Sequence, residues 1–145
     1  MITFCGYNPH RKRSATLIRF PKYRNKRVSH AGYSFASKLE AKLFDFLKFR
    51  EIEGTVSDIQ NQDHVYLTNA RICYIPDFKF NCKITNTWAW AEAKGFETDS
   101  WKIKKKLWKY YGPGRLEIYK GSEKKLVLHE EIQPRSSNDD DSTSA

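Results

Sequence analysis

Two short runs limit what this chain can fold into. Tyr74–Phe80 reads YIPDFKF, and after a seven-residue gap Trp88–Gly95 reads WAWAEAKG. Asp77 follows a proline and leads a run that alternates apolar with polar. The second run is rich in aromatics and ends in Glu92-Ala93-Lys94. Read as strands, both runs put residues two apart on one face. Glu92 and Lys94 then share a face, and pairing of the strands brings Asp77 beside them. Two acids and a lysine on one side of a sheet form a metal site with a positive group at its edge.

The rest of the pattern places helices and strands around this hairpin. Ser37 stands three residues before Glu40, a capping-box spacing. Leu39, Leu43, Phe46 and Leu47 then recur at helical intervals, so a helix is expected to fade near Arg50 and end by Gly54. Val65 and Leu67 alternate with His64 and Tyr66 as a first strand, and Thr68-Asn69-Ala70 reads as a turn. Arg71–Phe80 is expected as one strand, with Pro76 marking an edge or a bulge. Trp88–Lys94 is the next. A second helix is predicted from about Thr98 to Tyr110, with Ile103, Leu107 and Tyr110 inward, and Gly112-Pro113-Gly114 ends it. Leu116–Tyr119 and Leu126–Leu128 are two further strands. The expected class is α/β with a mixed, α+β-type sheet flanked by two helices.

Charge adds a partner. The 145 residues fit one domain, and the net charge is +9. No acidic residue precedes Glu40, whereas Asp139, Asp140 and Asp141 crowd the far end. Three units follow: a basic arm over 1–30, a core over 31–135 and an acidic tail over 136–145. Arg11, Lys12, Arg13, Arg24, Lys26 and Arg27 suit an arm lying along a phosphate backbone. A surface this basic favours a polyanion, above all nucleic acid. In the tail, Asp139–Asp141 either solubilise the chain or lie against the arm and mimic phosphate. No run is long and apolar enough for a membrane, and no secretion signal is legible. Cys5, Cys73 and Cys82 are odd in number and widely spaced, which suits free thiols in a reducing cytoplasm.

Phosphodiester hydrolysis needs a nucleophilic water, neutralised charge on the phosphate and help for the leaving oxygen. Magnesium supplies much of this and needs only a carboxylate or two. Asp77, Glu92 and the Ala93 carbonyl are the candidate ligands, with Glu40 on the preceding helix as an outer one. Mn2+ is the expected substitute. Lys94 orients or deprotonates the attacking water, or stabilises the transition state. Lys102, Lys104, Lys105 and Lys106 follow at once and are candidate phosphate contacts. Each has a plainer reading. Glu40 closes a capping box, Asp77 is a turn residue, Glu92 and Lys94 form a surface ion pair, and the lysines are a solvated face. Trp101 and Trp108 read as core, and of the four histidines only His64 lies near a strand of interest.

Pro76-Asp77, then Glu92-Ala93-Lys94, with Ser37-x-x-Glu40-Ala41 upstream, resembles the PD-(D/E)xK nuclease superfamily, nearest its small phage-encoded, resolvase-like endonucleases. The likeness spans about Tyr33 to Tyr119, and Gln62 sits where several such proteins carry a polar residue. It implies a restriction-endonuclease-like αβββαβ core. It also implies a magnesium-dependent DNA endonuclease with Glu40, Asp77, Glu92 and Lys94 in the positions above. Branched or junction DNA, a homodimer, no small-molecule cofactor and the cytoplasm of a phage host complete that expectation. The alternatives are a non-catalytic nucleic-acid-binding protein or a phage assembly factor on the same scaffold, and such a site does not distinguish DNA from RNA.

Overall fold

A computed structural model describes residues 26–122 and 124–135. Two small hairpins and two helices surround one five-stranded sheet. The first hairpin pairs β1 (Val28–His30) with β2 (Tyr33–Phe35). Its turn needs left-handed backbone at Ala31 and Gly32, with φ of 50° and 81°. β1 therefore begins inside the stretch expected to belong to the arm. Arg11, Lys12, Arg13 and Arg24 lie outside the described residues, as does the acidic tail.

Helix α1 (Lys38–Ile52) starts as its sequence demands. The Ser37 hydroxyl accepts the Glu40 N–H at 3.1 Å, and Gly54 follows the helix with φ of 78°. Leu43, Phe44 and Leu47 are buried against the sheet, whereas Phe46 is partly exposed. Strand β3 (Val56–Asn61) then forms one edge of the sheet. It was not expected to lead, because a bulge between Ser57 and Gln60 and a positive φ at Asp58 break its alternation.

The predicted first strand belongs elsewhere. β4 (Val65–Tyr66) pairs with β5 (Cys73–Tyr74) as a separate hairpin. The expected single strand over 71–80 is thus two, β5 and β6 (Phe78–Cys82), divided at Ile75-Pro76-Asp77. Pro76 is fully buried and has no N–H to give a ladder, so pairing cannot run through it.

β6 joins β7 (Thr87–Ala93) by a hairpin, with Phe78 opposite Ala91 and Phe80 opposite Ala89. Helix α2 (Asp99–Tyr111), capped by the Thr98 hydroxyl, crosses over to β8 (Arg115–Gly121), which lies parallel to β7. β9 (Leu126–Ile132) returns antiparallel and is longer than expected. The sheet order is β3-β6-β7-β8-β9. The chain is therefore a mixed α+β fold, with a five-stranded mixed sheet and two helices.

Alternation along the strands builds a core on each face. Phe78, Phe80, Ala89 and Ala91 meet α1, and Trp90, Leu116 and Ile118 meet α2. The inward stripe of α2 differs from expectation. Ile103 and Tyr110 are exposed, whereas Leu107 packs on the core and Trp101 and Trp108 are buried, as their reading as core expects. The indoles remove more apolar area from water. The Trp108 Nε1–H also donates to the Gly114 carbonyl at 2.8 Å, which satisfies its polar atom. Trp108 stacks edge-on to Tyr74 at 5.6 Å and to Trp90 at 5.4 Å. Trp108→Ala is expected to cost about 3–5 kcal/mol of stability, whereas Ile103→Ala costs under about 0.5 kcal/mol. Urea unfolding of both variants checks this; equal losses would contradict the burial assigned to the two residues.

Candidate active site

The break at Pro76 does chemical work. It ends β5, turns the chain and delivers Asp77 to the start of β6, across from the last residues of β7. The Asp77 N–H donates to Glu92 Oε2 at 3.2 Å. Asp77 Oδ2 accepts the Ala93 N–H at 2.8 Å. Lys94 Nζ donates to Glu92 Oε1 at 2.9 Å. Asp77, Glu92 and Lys94 are thus brought together, and Glu92 is 5% exposed. The peptide carrying the Ala93 carbonyl is itself fixed, because its Lys94 N–H donates to the Tyr119 carbonyl at 2.8 Å. Gln62, in left-handed backbone with φ of 52°, gives its N–H to the Asp77 carbonyl at 3.0 Å.

Glu40 stands behind this group and is also buried, at 6% exposed. Its carboxylate accepts the Ala36 N–H at 2.7 Å, so it serves the helix start. It also acts electrostatically on Asp77 and Glu92. Burial, reinforced by Glu92, raises the Glu40 carboxyl above its usual range, against the pull of the Ala36 and Ser37 N–H groups and Arg27. Burial raises Asp77 well above its usual range; Glu92 and Glu40 push the same way, and the Ala93 N–H and Lys94 oppose them. Among the described residues, Lys94 and Arg27 oppose these shifts and do not offset them.

A cleft of about 300 Å³ opens beside Glu92 and Lys94. Tyr74, Trp101 and Lys104 line it too, and the first two were not singled out for the site. Lys94 Nζ lies 4.6 Å from the centre of the Trp101 ring. The Tyr74 hydroxyl is buried beside Glu92, and burial with the fields of Glu92 and Asp77 keeps it protonated far above the ordinary phenol range. A break between apolar residues at Tyr74-Ile75-Pro76 was the one sequence signal for its position.

The lysines of α2 do not form one face. Lys104 reaches the cleft, with Nζ 5.8 Å from the Tyr74 ring centre. Lys102, Lys105 and Lys106 line a different groove, against β9. There Lys105 pairs with Glu130, while Lys102 pairs with Asp99 at 3.3 Å. A helical turn of 3.6 residues separates what the sequence run places together. Of the arm, Lys26 is exposed and Arg27 acts on Glu40. His64 meets Cys73, at 3.8 Å, and not the carboxylates.

The donors fit a hard cation in kind. They are all oxygen, they sit in low dielectric, and Lys94 relieves only part of their negative charge. Among the described residues, no three His, Cys, Asp or Glu side chains form a preformed metal cage. Magnesium does not require one, since it keeps several of its waters.

The raised Asp77 carboxyl has a thermodynamic consequence. Below the ordinary carboxylate range, the folded and unfolded chains both hold the proton, and nothing is lost. As pH rises from that range toward the folded value, the unfolded chain releases a proton that the folded chain keeps, so stability falls. In a chelator, the wild type is expected to lose stability relative to Asp77→Asn as pH rises through and above the ordinary carboxylate range. Thermal melts of both proteins check this, and parallel pH curves would contradict the strained carboxylate.

No curated protein and no solved structure matches the chain. One family model does, over residues 20–126, and its description is a protein of unknown function (DUF1064). That span takes in the whole site, from Glu40 to the lysines of α2, and most of the chain: this protein belongs to the DUF1064 family.

Proposed function

We propose that the protein is a metal-dependent DNA endonuclease of the PD-(D/E)xK type, acting on branched or junction DNA. The observation that carries this is the contrast between two buried acid clusters on one sheet. Glu117 on β8 is fully paired, with Arg50 and Arg115 each at 3.0 Å and the Tyr119 hydroxyl at 2.6 Å. At Asp77, Glu92 and Glu40, among the described residues, Lys94 pairs with Glu92 and opposes the charge on Asp77, and Arg27 acts on Glu40 only through its field. A fold that can neutralise a buried acid leaves these three short of positive charge, which is how a cation site looks before its cation binds. The order α1-β3-β6-β7-α2-β8, with the β4–β5 hairpin inserted after β3, supports the reading, because the αβββαβ core that the resemblance implies has the same succession of helix, three strands, helix and strand.

In this reading Asp77, Glu92 and the Ala93 carbonyl hold Mg2+, and Mn2+ can take its place. The bound ion supplies an activated water and charge stabilisation at the phosphate. The two backbone hydrogen bonds between Asp77 and β7 keep both carboxylates in position without further reorganisation. Lys94 meets developing charge on the scissile phosphate, and its contact with Glu92 fixes where its ammonium group stands. Trp101 covers Lys94 on one side and keeps water from that flank. Lys104, across the cleft, receives a neighbouring phosphate. Glu40 steadies the helix start and adds to the negative field without touching substrate. A two-fold dimer would present two such clefts to a branched substrate.

Incubation with branched and linear DNA in Mg2+ tests the reading. Cleavage is expected, falling by about 10²–10⁴-fold in Lys94→Ala and to background in Asp77→Ala. Full activity in either variant would overturn it. Intact DNA throughout, beside a clear salt-sensitive gel shift, would make the protein a non-catalytic nucleic-acid-binding protein.

A further inference from the structure

Four residues back along β7 from Glu92, about 13 Å along the strand, the same face carries Trp88. It is 39% exposed, whereas Trp90, Trp101 and Trp108 are buried. A cavity of about 570 Å³ lies beside it, walled by Trp88, Trp90, Thr85, Thr87, Arg115 and Gln133. Lys79 Nζ stands 4.9 Å from the Trp88 ring centre and 5.5 Å from that of Trp90. Among the described residues Arg115 Nε has no hydrogen-bond partner, although the same guanidinium pairs with Glu117 at 3.0 Å. Oδ1 of Asn81, which faces Trp88 across the ladder, is likewise buried without one. Gly114 lets the chain close in on the indoles: a Cβ there would stand 2.8 Å from both the Trp88 carbonyl and the Trp90 ring.

We propose that this cavity receives a nucleobase of a single-stranded nucleic acid, stacked on Trp88. The features match a base in three respects. An exposed indole offers a flat face to a flat heterocycle, and stacking of that kind tolerates any base. Lys79, which pairs with Asp63 at 3.5 Å, can turn its ammonium group to the adjoining phosphate. Thr85, Thr87 and Gln133 give hydroxyl and amide groups to the base edge. A duplex keeps its base faces stacked on one another, so a site built on an aromatic face selects unpaired strand. The inference rests on the nucleic-acid reading above, and it gives that reading a basis for preferring DNA with single-stranded arms. The base site and the carboxylates share the α2 side of β7, so strand held at one end of β7 is positioned relative to the other.

Because Trp88 alone among the four tryptophans is exposed, tryptophan fluorescence reports on it. A short oligothymidylate, added to the full-length chain in a chelator, is expected to quench the emission saturably. Trp88→Ala should abolish that quenching and weaken binding of a labelled oligonucleotide on the order of tenfold. Trp88→Phe should keep most of the affinity, which separates loss of stacking from loss of fold. No quenching of the wild type, or equal affinity in Trp88→Ala, overturns the proposal. Thymidine monophosphate quenching as well as the oligomer does so too, by making this a free-nucleotide site. A blue shift with protein concentration alone would put a second copy on Trp88, with the same consequence. Cleavage is not read in this experiment. A nuclease reading that fails therefore leaves a positive result standing, and intact Mg2+-dependent cleavage with no quenching would sink the base site alone.

Discussion

The Asp77 N–H held by Glu92 and the Ala93 N–H held by Asp77 form the reciprocal pair on which the rest of the site depends. Each carboxylate grips the backbone of the other strand. Each bond is donated by a backbone N–H, so one partner of each is held by the sheet itself. The consequence is electrostatic. The same two bonds that fix the acids also hold them close together in a poorly solvated place, where burial and Glu92 make Asp77 harder to ionise. Lys94 relieves part of this, and Glu40 adds to it.

The sheet shows what a structural solution to the same problem looks like. Glu117 is just as deeply buried, and it is surrounded by Arg50, Arg115 and the Tyr119 hydroxyl. Removing one of those partners leaves an uncompensated charge, so the cluster is a fixed part of the core on the α1 side. The acids at the end of β7 are different. Glu92 faces a cleft, and among the described residues the one cation paired with it, Lys94, is itself partly exposed and stacked on Trp101. Strain of this type concentrates where a ligand is meant to supply the missing charge.

The sequence made the central hairpin legible because its signals are local. Alternation across Phe78–Phe80 and the Glu92-Ala93-Lys94 spacing translate directly into faces of a strand. The capping residue Ser37 and the stop at Gly54 are local as well. What was hidden depends on tertiary partners. β3 carries a bulge, so its alternation fails, while the regular stretch at Val65–Leu67 belongs to a side hairpin. The buried stripe of α2 passes through Trp101 and Trp108, seven residues apart, because the sheet offers them Tyr74, Trp90 and a carbonyl at Gly114. Counting Ile103 and Tyr110 as inward followed helical periodicity but not that fit. The lysine run illustrates the same point: neighbours in sequence diverge around a helix, and only Lys104 joins Lys94 at the cleft.

The most direct test of the charge-deficient carboxylate site is calorimetric titration of the full chain with Mn2+ at neutral pH. Saturable binding is expected in the wild type, with a marked loss in Asp77→Asn and in Glu92→Gln, and a smaller one in Glu40→Gln. Absence of saturable binding at millimolar metal, or equal binding in all four proteins, would contradict it.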